Sequence, residues 1–109
     1  MKSERERVVK IVREYQEQLR AVFGDQLEGV YLYGSFARDE AHNCSDVDVL
    51  VLLRPPFDYA EAMRKTSELT SRMSIEHDVV ISRVFVSSEE MKSKNLPFYM
   101  NVRREGVVV

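Results

Sequence analysis

The spacing of apolar residues along the chain predicts alternating helices and strands. From Ser3 to Phe23 apolar residues recur every three or four positions, as they do on one face of a helix, and Ser3 with Glu6 forms a capping-box pair at the start. Two shorter apolar runs, Leu27–Tyr33 and Val47–Leu53, are typical of strands. The second run is almost entirely Val and Leu, which indicates a strand buried on both faces.

The rest of the chain continues this alternation. The remaining predicted elements are a short helix Ser35–Glu40, a loop Ala41–Ser45, a helix from the Asp58/Glu61 capping pair to about Ser74, a strand Ile75–Ser82 that Val84–Val86 can extend, a helix from Ser87 to about Lys94, a helix from Asn95 to about Gly106, and a strand Val107–Val109. This order predicts an α/β (α+β) domain with a small mixed sheet of three to four strands flanked by helices.

The bulk composition excludes several classes of protein. The 109 residues suit one domain, residues 1–109, and the net charge of −2 offers no basic field for nucleic acid or an anionic membrane. No apolar run approaches the roughly 20 residues of a membrane helix, and the charged N-terminus lacks a signal-peptide core. Cys44 is the single cysteine, so no intrachain disulfide can form. We therefore expect a cytoplasmic protein that binds neither membrane nor nucleic acid directly.

Asp46 and Asp48 form the first candidate site. Side chains two apart on a strand share a face, so these carboxylates should project together at the start of the second strand. Two adjacent carboxylates beside an apolar sheet repel each other unless a cation lies between them, and Mg²⁺ prefers such oxygen ligands. The alternative is that Asp46 caps a turn while Asp48 faces solvent on an edge strand.

Gly34 and Ser35 form the second candidate site, at a strand-to-helix junction. A glycine there lets the backbone approach a ligand closely, and the N–H groups of the following helical turn attract anions. Arg38, one turn further on, can neutralise phosphate or pair with an acid. The alternative is an ordinary N-cap serine after a glycine turn. The loop after Ser35 can bring this turn over the Asp46 strand, so that one nucleotide triphosphate contacts both.

A third acid is needed for chemistry with two metal ions, and Asp78 is the candidate. We expect it near the start of the third strand, where it would ligate metal or accept a proton from an attacking hydroxyl. Glu76 is the reserve, and a surface acid at a strand end is the alternative. His42, His77 and Cys44 lack the spacing of zinc ligands. Dinucleotide-binding and Walker-type glycine motifs are absent from the sequence.

Taken together, the runs Gly34–Arg38 and Ser45–Val51 resemble the signature of the nucleotidyltransferase superfamily of DNA polymerase beta type. Within it the chain is similar to the minimal nucleotidyltransferases, which are antitoxin-like partners of HEPN-domain proteins. The resemblance implies that Gly34 and Ser35 hold the β- and γ-phosphates of a nucleotide. It also implies that Asp46 and Asp48 ligate Mg²⁺, with two ions expected, and that Asp78 is a third acid that ligates metal or activates the acceptor hydroxyl. Arg38 occupies the arginine position of this subgroup.

One residue departs from the pattern. Members often have glycine directly after the arginine, whereas this chain has Asp39. A carboxylate there replaces a flexible turn residue near the phosphate site and can weaken nucleotide affinity. It removes no catalytic group, so we expect the chain to be active.

The resemblance implies transfer of a nucleoside monophosphate, most simply AMP from ATP, to a hydroxyl acceptor, with a tyrosine of a HEPN toxin as the expected target. A chain of this size lacks the helical domain of larger relatives, so a HEPN partner or self-association must complete the site. One alternative is an antitoxin that neutralises its partner by contact without catalysis. Another is transfer to a small molecule such as an aminoglycoside. The missing second domain counts against this alternative.

Overall fold

The computed structural model describes residues 4–34, 36, 46–93 and 96–109. The elements in chain order are α1 (Glu4–Phe23), a 3₁₀ helix (Gly24–Gln26), β1 (Leu27–Tyr33), β2 (Val47–Leu53), α2 (Tyr59–His77), β3 (Ile81–Ser87), α3 (Ser88–Ser93), α4 (Pro97–Glu105) and β4 (Val107–Val108). Apart from Phe36, the predicted helix Ser35–Glu40 and loop Ala41–Ser45 lie outside the described residues. None of the helices in the described part of the chain is both long and apolar enough to cross a membrane.

The four strands form one mixed sheet in the order β3-β2-β1-β4. β2 runs parallel to β3 and antiparallel to β1, and β1 is antiparallel to β4. β2 is therefore a central strand, and all of its residues except Asp48 are buried. A mixed sheet of four strands flanked by helices confirms the fold class predicted from the apolar pattern.

Different helices cover the two faces of the sheet. α1 and α2 pack on one face, where Leu19 belongs to the same buried cluster as Val49. α3 and α4 pack on the opposite face, where Val102 of α4 joins a smaller cluster with Leu50. Because side chains alternate along a strand, Asp48 shares the face of Leu50. We call the side of the sheet that α3 and α4 cover the α4 face.

The predicted caps of two helices are present. The Asp58 carboxylate accepts a hydrogen bond of 3.1 Å from the Glu61 amide at the start of α2, and the Ser87 hydroxyl accepts one of 3.4 Å from the Glu90 amide at the start of α3. Each bond satisfies a backbone donor that a helix N-terminus leaves without an intrahelical partner.

The third strand lies further along the chain than predicted. The prediction of a strand over Ile75–Ser82 is wrong, because α2 continues to His77 and β3 begins only at residue 81. Asp78 ends the helix in the left-handed conformation, with φ 52° and ψ 50°. The run looked like a buried strand because of its apolar residues, yet Ile75 is 80% exposed and Val80 60% exposed. Exposed apolar residues at the end of α2 and in the linker to β3 therefore produced a sequence pattern that resembles a strand.

Candidate functional site

Gly34 and Asp48 meet where β1 ends and β2 begins. The antiparallel register pairs Tyr33 with Asp48, so Gly34, the residue after β1, lies against the first residues of β2. Gly34 has φ +72°, and a Cβ atom added to it would overlap the Asp48 carboxylate at Oδ2. A glycine is therefore required here for two reasons, a left-handed backbone and a close approach. The predicted phosphate turn and the predicted metal carboxylate are in contact.

The two aspartates differ in their surroundings. Asp46 is exposed and precedes β2, whereas Asp48 is half-buried within it. Since β2 has a neighbour on each side, the alternative of Asp48 on an edge strand is wrong. Asp48 is half-buried beside the glycine turn. Its carboxylate oxygens are the kind of ligand that a hard divalent cation prefers. Ser35 and Arg38, together with Asp39, lie outside the described residues, so their predicted contacts with phosphate stay predictions.

The parallel register of β2 and β3 identifies the residue that faces Asp48 across the strands. It is Ser82, which is exposed. Residues paired in this way project to the same face, so a third carboxylate next to Asp48 would occupy position 82. Asp78 instead caps α2, whose body packs on the opposite face of the sheet. The prediction that Asp78 is an acid buried in a strand is therefore wrong, since Asp78 is exposed at the end of α2. Its role as a third acid stays a prediction.

Glu76, the reserve acid, lies on α2 rather than on a strand. Its carboxylate, that of Glu14 and the His77 imidazole have ligand atoms within 4.8 Å of one another. The Nε2 atom of His77 is 3.2 Å from the Glu14 carboxylate. This group joins α1 to α2 on the face opposite Asp48, so Glu76 does not complete the predicted magnesium site.

Tyr33 is a site residue that sequence reasoning took for a core or rim aromatic. Burial of the phenol raises its pKa, and the negative charge of Asp48 raises the pKa further. The charge of Asp48 therefore reaches the Tyr33 hydroxyl. The register explains why, since Tyr33 is the β1 partner of Asp48 on the same face.

A pocket of about 240 Å³ adjoins Gly34 on the α4 face. It lies between the end of β1 and α4, and its lining residues are Tyr33, Gly34, Phe98, Asn101, Val102 and Glu105. The sequence contains one signal for this pocket, since Phe98, Asn101 and Glu105 recur at helical spacing after Pro97 and so share one face of a helix. The pocket extends the candidate site from the glycine turn to the last helix.

The candidate site thus consists of a glycine turn against a strand carboxylate, with a pocket beside it on one face of a mixed sheet. Comparison with known families identifies the class. The family described as Polymerase beta, Nucleotidyltransferase matches residues 9–108. The chain belongs to this family of enzymes, which confirms the resemblance drawn from the glycine and aspartate motifs.

A protein of similar sequence supports this assignment. The chain is 30% identical over 102 residues to "Putative protein adenylyltransferase MJ0141" of Methanocaldococcus jannaschii, which covers 94% of this chain and 98% of that protein. The relative is thus of the same small size.

Two solved structures share the fold. One is described as a putative nucleotidyltransferase from Sulfolobus solfataricus, with a TM-score of 0.68 and 20% identity over 95% of this chain and 80% of that one. The other is a toxin–antitoxin structure with AMP-PNP, with a TM-score of 0.58 and 20% identity over 97% of this chain and 72% of that one.

Proposed function

We propose that this enzyme transfers AMP from ATP to a hydroxyl of a partner protein, a tyrosine of a HEPN-domain toxin, and thereby acts as an antitoxin. The observation that carries the proposal is the contact between Gly34 and the Asp48 carboxylate. This contact supports a turn that binds phosphate beside a carboxylate that binds metal. Similarity to a protein described as an adenylyltransferase supports AMP as the group transferred. A toxin–antitoxin structure among the fold neighbours supports a protein partner.

In this proposal the triphosphate lies along the turn formed by Gly34 and Ser35, with Arg38 nearby as a counter-charge. Asp46 and Asp48 would hold Mg²⁺, which when bound neutralises phosphate charge and makes pyrophosphate a better leaving group. The acceptor oxygen attacks the α-phosphorus, a new P–O bond forms, and the bond to the β-phosphate breaks. The hydroxyl proton passes to a carboxylate of the site, and pyrophosphate leaves. ATP is available in the cytoplasm, where we propose that the chain acts.

The partner would complete the site. Asp46 is exposed, and Tyr33 and Phe98 are only partly covered on the same side, so the acceptor can approach the Asp48 carboxylate from solvent. The pocket beside Gly34, whose lining includes Val102 of α4, forms the opening on this side. A partner that docks over this opening would present its hydroxyl to the α-phosphate and exclude water.

Calorimetry with Mg-ATP tests the nucleotide and metal parts of the proposal. We expect the wild-type chain to bind Mg-ATP, and Asp48→Asn to lose the magnesium-dependent part of that binding. Asp25→Asn is the matched control, because Asp25 is an exposed acid in the 3₁₀ helix at the opposite end of β1. Equal binding by the two variants would contradict the assignment of Asp48.

Mass spectrometry of a HEPN-domain protein co-expressed with the chain tests the acceptor. We expect the partner to gain one or more AMP masses with the wild type and none with Asp48→Asn. An unmodified partner that is nevertheless neutralised by both chains would establish the alternative, an antitoxin that acts by contact alone.

A further inference from the structure

The pocket beside Gly34 contains groups that phosphate and metal binding do not use. Phe98 is 42% exposed although it is a large aromatic residue. Its ring stands perpendicular to that of Tyr33, with 5.8 Å between the ring centres. The two rings form one apolar corner next to the turn that would hold the phosphates. An exposed ring in such a corner provides a flat surface on which a nucleobase can stack.

The polar groups of the same pocket come from the following turns of α4. The Asn101 side-chain oxygen accepts a hydrogen bond of 2.9 Å from the Arg104 guanidinium, and this orients the amide. The same guanidinium lies 3.4 Å from the Glu105 carboxylate. With its oxygen held by Arg104, Asn101 presents its NH₂ group as a donor, while Glu105 contributes acceptor oxygens. The pocket wall therefore carries a donor and an acceptor one helical turn apart.

We propose that this pocket binds the nucleoside of the substrate, and that Asn101 and Glu105 select adenine; the inference rests on the proposed function, since the phosphates would lie at Gly34. Adenine has an exocyclic amine beside a ring nitrogen that accepts hydrogen bonds, which complements the Glu105 acceptor and the Asn101 donor. Guanine in the same orientation carries a carbonyl in place of that amine and a ring N–H in place of that acceptor, so its carbonyl would face Glu105 and its ring N–H would face the Asn101 donor. Phe98 stacks on the base whatever its identity.

Calorimetry on the full chain tests the pocket with ATP, GTP, CTP and inorganic tripolyphosphate, each with Mg²⁺. We expect wild type to bind ATP more tightly than GTP. Phe98→Ala should weaken ATP binding about tenfold, the usual range for loss of one stacking ring, and leave tripolyphosphate binding unchanged. Asn101→Asp has the same shape but lacks the donor, so it should weaken ATP binding and reduce the preference over GTP. CTP, which shares the amine and ring acceptor of adenine, should rank between ATP and GTP.

Met100→Ala is the matched control, because Met100 is 48% exposed on the same helix but does not line the pocket. We expect it to bind all four ligands as wild type does. The pocket proposal is overturned if Phe98→Ala and Asn101→Asp bind ATP like wild type, or if wild type binds tripolyphosphate as tightly as ATP. In both cases the phosphate and metal site of the proposed function still stands. If wild type binds neither ATP nor tripolyphosphate, the proposed function fails as well.

Discussion

Gly34 lies so close to Asp48 that any side chain at position 34 would overlap the Asp48 carboxylate. The two residues are 14 positions apart in sequence, and the pairing of Tyr33 with Asp48 brings them together. Gly24 also has a positive φ, +58°, but an added Cβ there would meet nothing within 4 Å. The chain thus contains two glycines with similar left-handed backbone conformations and different surroundings.

These two glycines allow a controlled test of the contact. Both Gly34→Ala and Gly24→Ala should lose about 1 kcal/mol of stability from the left-handed backbone. Gly34→Ala should lose more, since Asp48 must also move, and it alone should lose Mg-ATP binding. Chemical denaturation and calorimetry on both variants measure these effects. Equal stability and equal nucleotide binding in the two variants would show that the contact with Asp48 has no consequence.

A substitution at position 82 tests whether a carboxylate on β3 can share a magnesium ion with Asp48. Ser82→Asp would place a third carboxylate on the strand next to Asp48. We expect it to lower the melting temperature without magnesium, because like charges repel by on the order of 1 kcal/mol. Added Mg²⁺ should reverse this loss and bind more tightly than to wild type. Ser71→Asp adds the same charge at an exposed position on α2 and should show neither effect. Thermal unfolding with and without Mg²⁺ decides the outcome.

Asp78→Asn tests the predicted third acid directly. Asparagine tolerates the left-handed conformation of the helix end, so the variant should fold with unchanged stability. Because Asp78 caps α2 and does not lie on β3, we expect Mg-ATP binding and AMP transfer to fall much less than in Asp48→Asn. A loss as large as that of Asp48→Asn would establish Asp78 as the third acid.

The ionisation of Tyr33 gives a measure of the site that needs no nucleotide. Burial and the Asp48 charge both raise the pKa of the phenol. Removing that negative charge favours the phenolate, so Asp48→Asn should lower the pKa of Tyr33. Tyr99 is the internal control, since its pKa is raised by burial and by its hydrogen bond to Glu90, which Asp48→Asn leaves in place. Carbon-13 NMR of labelled tyrosine follows each phenol. An unchanged Tyr33 titration would show that the two groups are not coupled.

Tyr15 predicts how stability depends on alkaline pH. Its fully buried hydroxyl hydrogen-bonds with Thr70 at 2.7 Å. Burial raises its pKa above the ordinary value of 10.0, while Thr70 and the charge of Arg83 lower it to a smaller extent. The folded chain therefore keeps this proton where the unfolded chain releases it. The contribution is fully present below about pH 10 and is lost as the pH rises further, because the unfolded state then binds fewer protons.

Denaturation over the alkaline range measures this loss. Tyr15→Phe keeps the ring and removes the titrating hydroxyl, so it should be less stable near neutral pH by about 1 kcal/mol, the worth of a typical hydrogen bond. Its stability should fall less steeply above pH 10 than that of wild type. Parallel curves for the two proteins would contradict a protonated, buried Tyr15.

The sequence by itself determined the features that depend on local pattern. The apolar periodicity of α1, the Val/Leu run of β2, and the caps at Asp58 and Ser87 predicted elements that the structure contains. The glycine and aspartate motifs predicted the family that the comparisons confirmed. These signals are local, since each depends on the chemistry of a few neighbouring residues.

The tertiary structure decided everything that depends on register and on packing between distant segments. Only the pairing of β2 with β3 identifies Ser82, rather than Asp78, as the residue opposite Asp48. Only the packing of α4 against the sheet brings Phe98 and Asn101 beside Gly34. A shift of one residue in register reverses the face of every side chain, and no local pattern in Ile75–Ser82 specified that register. Local chemistry thus predicted the kind of site, and the strand register determined which of the described residues lie beside it.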